Sequence, residues 1–283
     1  MTELLWPFNL HHSIPSNSRG ELGSSLDADG SFHFWTPGVL RGRPEIGYYV
    51  HKFPPQRALD FRALVEQAKV WDLPRLKALA PEQPHVFMMA GDWEGGPKRS
   101  VMWAIDALPA EVLPIMEAFH KMVDEAFASP REVLAGTARW TAPSFSAREP
   151  LRLEFTLSNK GTQQISLQDP MAPEEGESLL SLLISQVPSR EVPAPTPKHV
   201  TITPHMLSRP DQAQPHARRA PGSRLELAPG ESVRFVATPS AYLSPAEHRA
   251  VLLLDTGESP QPPTDHVHGI LAVDTPLLRI AHR

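Results

Sequence analysis

The residues best suited to chemistry by type and spacing are Asp265-His266-Val267-His268. On an extended chain His266 and His268 face the same way, and such a pair can hold zinc through ring nitrogens, with Asp265 assisting from the preceding turn. A structural zinc site needs a fourth ligand, and a catalytic one needs a third ligand and an open position. One of the distant His205, His216 or His248 would have to supply it. A polar strand start just after Pro262-Pro263 explains the same residues more simply, so no metal is expected. His11-His12 is a poorer pair, because neighbours on an extended chain point to opposite faces.

Other groups with chemical potential are weaker. Asp27-Ala28-Asp29-Gly30 opens like a calcium loop, but the twelfth place of that loop, where a Glu is required, is Gly38. It is read as a turn. Ser144 and Ser146 lie in a Pro-flanked loop with no evident base, and Glu174-Glu175 and Asp72 carry no catalytic signal among 32 acidic residues. There is no nucleophile elbow, phosphate-binding Gly-Lys-Ser/Thr loop, dinucleotide fingerprint or His-Glu-x-x-His. The chain has no cysteine, which removes thiolate chemistry, disulfides and Cys-ligated zinc. No cofactor is implied, and the balance is against an enzyme.

Binding residues are easier to nominate. Asp92-Trp93-Glu94 stands at the tip of an expected hairpin, where a large aromatic has few core contacts and can anchor a protein interface. Arg209, Arg218 and Arg219 lie in a Pro-rich stretch, 188–221, that holds eight prolines. A connection of that length inside a compact domain is usually functional or disordered.

The elements that would position these residues are of two kinds. At 283 residues the chain exceeds the usual single-core size. The first part, 1–130, reads as an α+β domain of order β-β-β-α-β-β-α, an antiparallel sheet with helices on one face. A hairpin is expected over 21–35, a strand over 45–53, a helix over 58–71, a second hairpin over 85–105, and a second helix over 109–128. Phe61, Leu64, Val65 and Ala68 form the apolar face of the first helix. Val112, Met116, Phe119, Met122, Val123 and Phe127 form that of the second, with Pro114 in its first turn. Residues 131–283 read as an all-β, immunoglobulin-like sandwich of short strands. The clearest is Leu151-Arg152-Leu153-Glu154-Phe155-Thr156-Leu157-Ser158, whose strict alternation marks one buried face before the turn Asn159-Lys160-Gly161. Leu225, Leu227, Val233 and Phe235 alternate in the same way around Pro229-Gly230.

A net charge of -5 lacks the basic footprint that a phosphate backbone requires, so nucleic acid is not an expected partner. No run approaches the 18 apolar residues of a membrane span, and a cytoplasmic protein is expected. Residues 151–161 and 227–235 resemble the immunoglobulin-like sandwiches of bacterial intracellular proteinase-inhibitor type, which pair an Asn-x-Gly strand with a later Leu-x-Pro-Gly-Glu turn. The first part is similar to small bacterial α+β domains. The resemblance implies protein binding. A non-catalytic protein of the immunity or antitoxin type, blocking a toxin or effector enzyme, is the expected function. A metal-dependent hydrolase using His266 and His268, or a structural subunit of a larger bacterial assembly, are the alternatives.

Overall fold

The computed structural model describes residues 7–12, 22–36, 43–74, 84–91, 99–174, 177–188, 196–212, 220–256, 267 and 269–281. It is sheet-rich α+β, with large antiparallel sheets and two α-helices among these residues. The chain divides into two compact units, Met1–Pro37 with Gly47–Arg131, and Gly38–Ile46 with Glu132–Arg283.

The first unit holds strands β1 (Phe8–His12), β2 (Leu22–Leu26), β3 (Ser31–Thr36) and most of β4 (Glu45–Lys52). Helix α1 (Pro55–Gln67), strands β5 (His85–Ala90) and β6 (Arg99–Ala104), and helix α2 (Leu113–Ala126) follow. Its strands lie in the order β4-β3-β2-β1-β5-β6, every neighbour antiparallel. The turn between β2 and β3 closes through Gly30 N–H to the Asp27 carbonyl at 3.0 Å. Gly30 has φ +87°, and a Cβ there would stand 2.3 Å from the Phe53 carbonyl oxygen, so both conformation and space demand glycine.

Helix α1 begins on Pro55 and α2 carries Pro114 as its second residue; the fixed φ of proline suits the first turn, and its missing N–H is not needed there. Helix α1 starts earlier than the apolar pattern alone predicts, because Pro55 is inside it rather than before it. It also ends earlier: Lys69 turns left-handed at φ 48°, and a 3-10 turn, Val70–Asp72, replaces the last helical turn. Helix α2 buries Ile115, Met116, Phe119, Met122, Val123 and Ala126. Phe119 meets Phe32 edge-on at 6.2 Å, and Phe127 meets Phe34 and Tyr49 at 5.3 and 5.0 Å. The helices thus cover the sheet face that carries Phe32, Phe34 and Tyr49, while His33, Trp35 and Tyr48 point to the other.

The second unit holds β7 (Pro130–Trp140, from Glu132 on), β8 (Ser144–Ser146), β9 (Leu153–Asn159), β10 (Ile165–Gln168) and β11 (Leu180–Gln186). It continues with β12 (Lys198–Ile202), β13 (Leu207–Ser208), β14 (Arg224–Leu227) and β15 (Ser232–Ala237). Strands β16 (Glu247–Asp255), β17 (Ile270–Asp274) and β18 (Leu278–Ala281) complete it. One run of paired strands is β13-β15-β9-β7, a second is β12-β11-β16-β18-β8 with β17 also on β16, and β10 pairs β14. Leu153, Phe155, Leu157, Val233 and Phe235 from the first run share one core with Leu180, Leu182, Leu252 and Leu254 from the second.

At the centre of the first run Phe155 lies opposite Phe235 with rings stacked at 5.0 Å. The turn after β9 is held by Asn159, which is fully buried. Its side-chain amide donates to the carbonyls of Gln163 (2.7 Å) and Leu227 (2.9 Å), and its oxygen accepts from Gly161 N–H at 2.8 Å. Gly230 N–H donates to the Asn159 carbonyl at 3.1 Å. The Asn-Lys-Gly and Pro-Gly-Glu turns are therefore one bonded assembly.

The Pro-rich stretch 188–221 is not a single bare loop. Residues 198–208 carry β12, where the sequence places a short strand over 199–203, then a 3-10 turn and β13; Val200, Ile202 and Leu207 are buried.

Candidate functional site

Most of the nominated residues fall outside the described ones: Asp92, Trp93, Glu94, His216, Arg218, Arg219, Asp265, His266, His268 and Glu175. Arg209 is described, and its guanidinium carbon lies 5.8 Å from the centroid of the buried Phe235 ring. Part of that side chain therefore roofs the core. His248, one of the supplementary metal ligands, is buried and donates from Nε2 to the Ser244 carbonyl at 3.0 Å. His205 is hydrogen-bonded to Thr203 Oγ1. Among the described residues no three His, Asp or Glu side chains form a group that could hold a metal ion. Asp29 spends its carboxylate on Ser31 N–H at 2.9 Å, on the Ser31 hydroxyl and on Lys52, which fits the turn reading of that segment. Ser144 and Ser146 form β8, paired in parallel with β18, and Ser146 N–H donates to Glu149.

The first unit presents two other features. Helix α2 is flanked by apolar depressions. One, of about 460 Å³, lies against α1 and is floored by Phe61, Leu64, Pro114, Ala118 and Met122. The other, of about 350 Å³, is lined by Val86, Ile105, Leu108, Leu113 and Met116. Leu113, in the lining of the second, is 54% exposed. The rim carries both signs, with Lys121 bonded to Glu117 and Arg57 to Glu125, each at 2.8 Å. Leu64, expected in the core, faces this groove while Ala58, Phe61 and Val65 do the burying.

The second feature is polar and lies on the sheet face away from the helices. His33 on β3 and Tyr48 on β4 are diagonal neighbours, since His33 pairs Val50 and Trp35 pairs Tyr48. His33 Nδ1 is hydrogen-bonded to the Tyr48 hydroxyl, with the rings stacked at 5.9 Å. On its other side Nε2 lies 3.6 Å from Asp27 Oδ2. The tautomer consistent with both keeps the proton on Nε2, facing Asp27, and lets the Tyr48 hydroxyl donate to Nδ1. The Arg131 guanidinium sits 5.8 Å from the Tyr48 ring centroid, and its Nε is buried with no hydrogen-bond partner among the described residues. Burial holds the His33 imidazole below its ordinary range; Asp27 and Asp29 oppose this, and Arg131 and Lys52 reinforce it. His33 is therefore neutral near pH 7. The side chains of His33 and Asp27 remain 30% and 42% exposed, so small molecules in solvent can reach the group.

No protein-family model matches the chain, and a search of curated proteins finds no significant match.

Proposed function

We propose that the chain is a cytoplasmic protein-binding protein of the immunity or antitoxin kind, and that the two apolar depressions beside α2 seat the partner. The observation that carries this reading is the pair of grooves of about 460 and 350 Å³ beside α2, the second lined by a half-exposed Leu113. Apolar hollows with a charged, paired rim are the anatomy of a contact that buries a few anchors and excludes water around them. The two-sheet second unit, with its bonded Asn159 and Pro229-Gly230 turns, supports the immunoglobulin-like assignment. Among the described residues no helix is long and apolar enough to cross a membrane.

The test is affinity capture from the native host on the immobilised full chain, followed by titration of the recovered protein. The expected result is a stoichiometric partner whose affinity falls by about 2 kcal/mol or more when Ala118→Arg fills the larger groove. A partner bound equally well by that variant, or no stoichiometric partner, overturns the reading.

A further inference from the structure

We propose that Tyr48 is a base-activated phenol able to take an acyl group from an ester, with His33 as its general base and Asp27 as the positioning residue. Asp27 in the β2–β3 turn, His33 on β3 and Tyr48 on β4 follow one another on one sheet face, in the order carboxylate, imidazole, hydroxyl. This is the order in which an imidazole, oriented on one nitrogen by a carboxylate, takes a proton from a nucleophile on the other. The 3.6 Å between Asp27 and Nε2 is longer than a hydrogen bond, as is common for catalytic contacts before a substrate closes them. The Arg131 guanidinium lies 5.8 Å from the Tyr48 ring centroid, so a cation stands beside the group. His33 is unprotonated near neutrality and so free to act as base.

The step balances without any further reagent. The Tyr48 oxygen bonds to the ester carbonyl carbon as its proton passes to His33 Nδ1. The bond from that carbon to the alcohol oxygen breaks, and His33 returns the proton to the departing alkoxide. The acyl group stays on Tyr48 as an aryl ester. Water attacking the same carbonyl, with His33 taking its proton, releases the acid and restores the phenol. The group lies on the face opposite the helices, so the proposal stands or falls independently of the grooves beside α2.

The chain contains its own controls, because its three tyrosines differ in surroundings. Tyr242 is 82% exposed and Tyr49 is 1% exposed. The experiment treats the full chain with p-nitrophenyl acetate and reads acetylation of each tyrosine by peptide mass spectrometry across pH. Tyr48 is expected to react at least about a hundredfold faster than Tyr242 at neutral pH, the lower end of what a positioned base supplies. That rate falls as acid protonates His33. His33→Gln is expected to bring Tyr48 down to the rate of Tyr242, leaving Tyr242 unchanged and Tyr49 unlabelled. Asp27→Asn is expected to move the midpoint of the pH profile downward, which a purely structural Asp27 would not do. A Tyr48 no faster than Tyr242, or one indifferent to His33→Gln, overturns the proposal. If Tyr49 becomes labelled in His33→Gln, that variant has opened, and the native pH profile decides: a rate with no break below neutrality overturns the proposal.

Discussion

His33 makes the stability of the first unit depend on pH in a definite direction. Its folded-state pKa lies below the unfolded one, chiefly through burial, with Asp27, Asp29, Arg131 and Lys52 as the charged groups around it. Between the two values the unfolded chain binds the extra proton and the folded chain does not, so stability falls as pH drops through and below the ordinary histidine range near 6.5. Thermal midpoints measured between about pH 7 and pH 5 should decline less steeply in His33→Gln than in the native chain. An equal slope in both would remove His33 from the account. Part of this group was legible in the sequence. The Asp27-Ala28-Asp29-Gly30 turn pairs Asp27 with Ser31 by 2.9 Å, which puts Asp27 and His33 on one face. Tyr48 was not legible, because the register of β4 against β3 follows from packing of Phe34 on Tyr49 and not from a short turn. The turn shows in the sequence while the chemistry beside it does not, since these residues meet across strands rather than at a local spacing.

At the scale of elements, Asn159 joins two hairpins that alternation alone shows as separate. Asn159→Ala would leave the Leu227 and Gln163 carbonyls and the Gly161 N–H without their side-chain partner in a buried place. The expected loss is about 3 kcal/mol, read as a shift in denaturant midpoint at unchanged slope. Asn159→Asp keeps the acceptor to Gly161 but cannot donate to either carbonyl, so it should fare no better. Strands with strict alternation, such as β9 and β15, were readable because one face is wholly buried: Leu153, Phe155, Leu157, Val233 and Phe235 are each 2% exposed or less. The short strands β8, β13 and β18 were not, because two to four residues give too little pattern to separate a strand from a loop. The early end of α1 at Lys69 was equally hidden, for a left-handed residue that is not glycine leaves no compositional mark.

At the scale of the molecule, the two units do not meet at a single point in the chain. Residues Gly38–Ile46 belong to the second unit although some 85 residues of the first unit, 47–131, follow them. Ile46 is fully buried in the core of the second unit, and Pro44 accepts the Gly136 N–H at 2.9 Å. Ile46→Ala should therefore weaken the second unit by about 2–4 kcal/mol, despite its place in the amino-terminal half. Hydrogen exchange at the amides of β9 and β15 is the direct readout. Protection lost only in the first unit would contradict the assignment.

That arrangement also sets an order of events on the ribosome. The whole of the first unit is synthesised by Arg131, and at roughly 5–20 residues per second it has seconds to fold before the second unit is available. During that interval the segment around Ile46 is a greasy stitch with nothing to sew into, held by the newborn first unit at its border. The Ile46 side chain is covered only once the later strands of the second unit have been made.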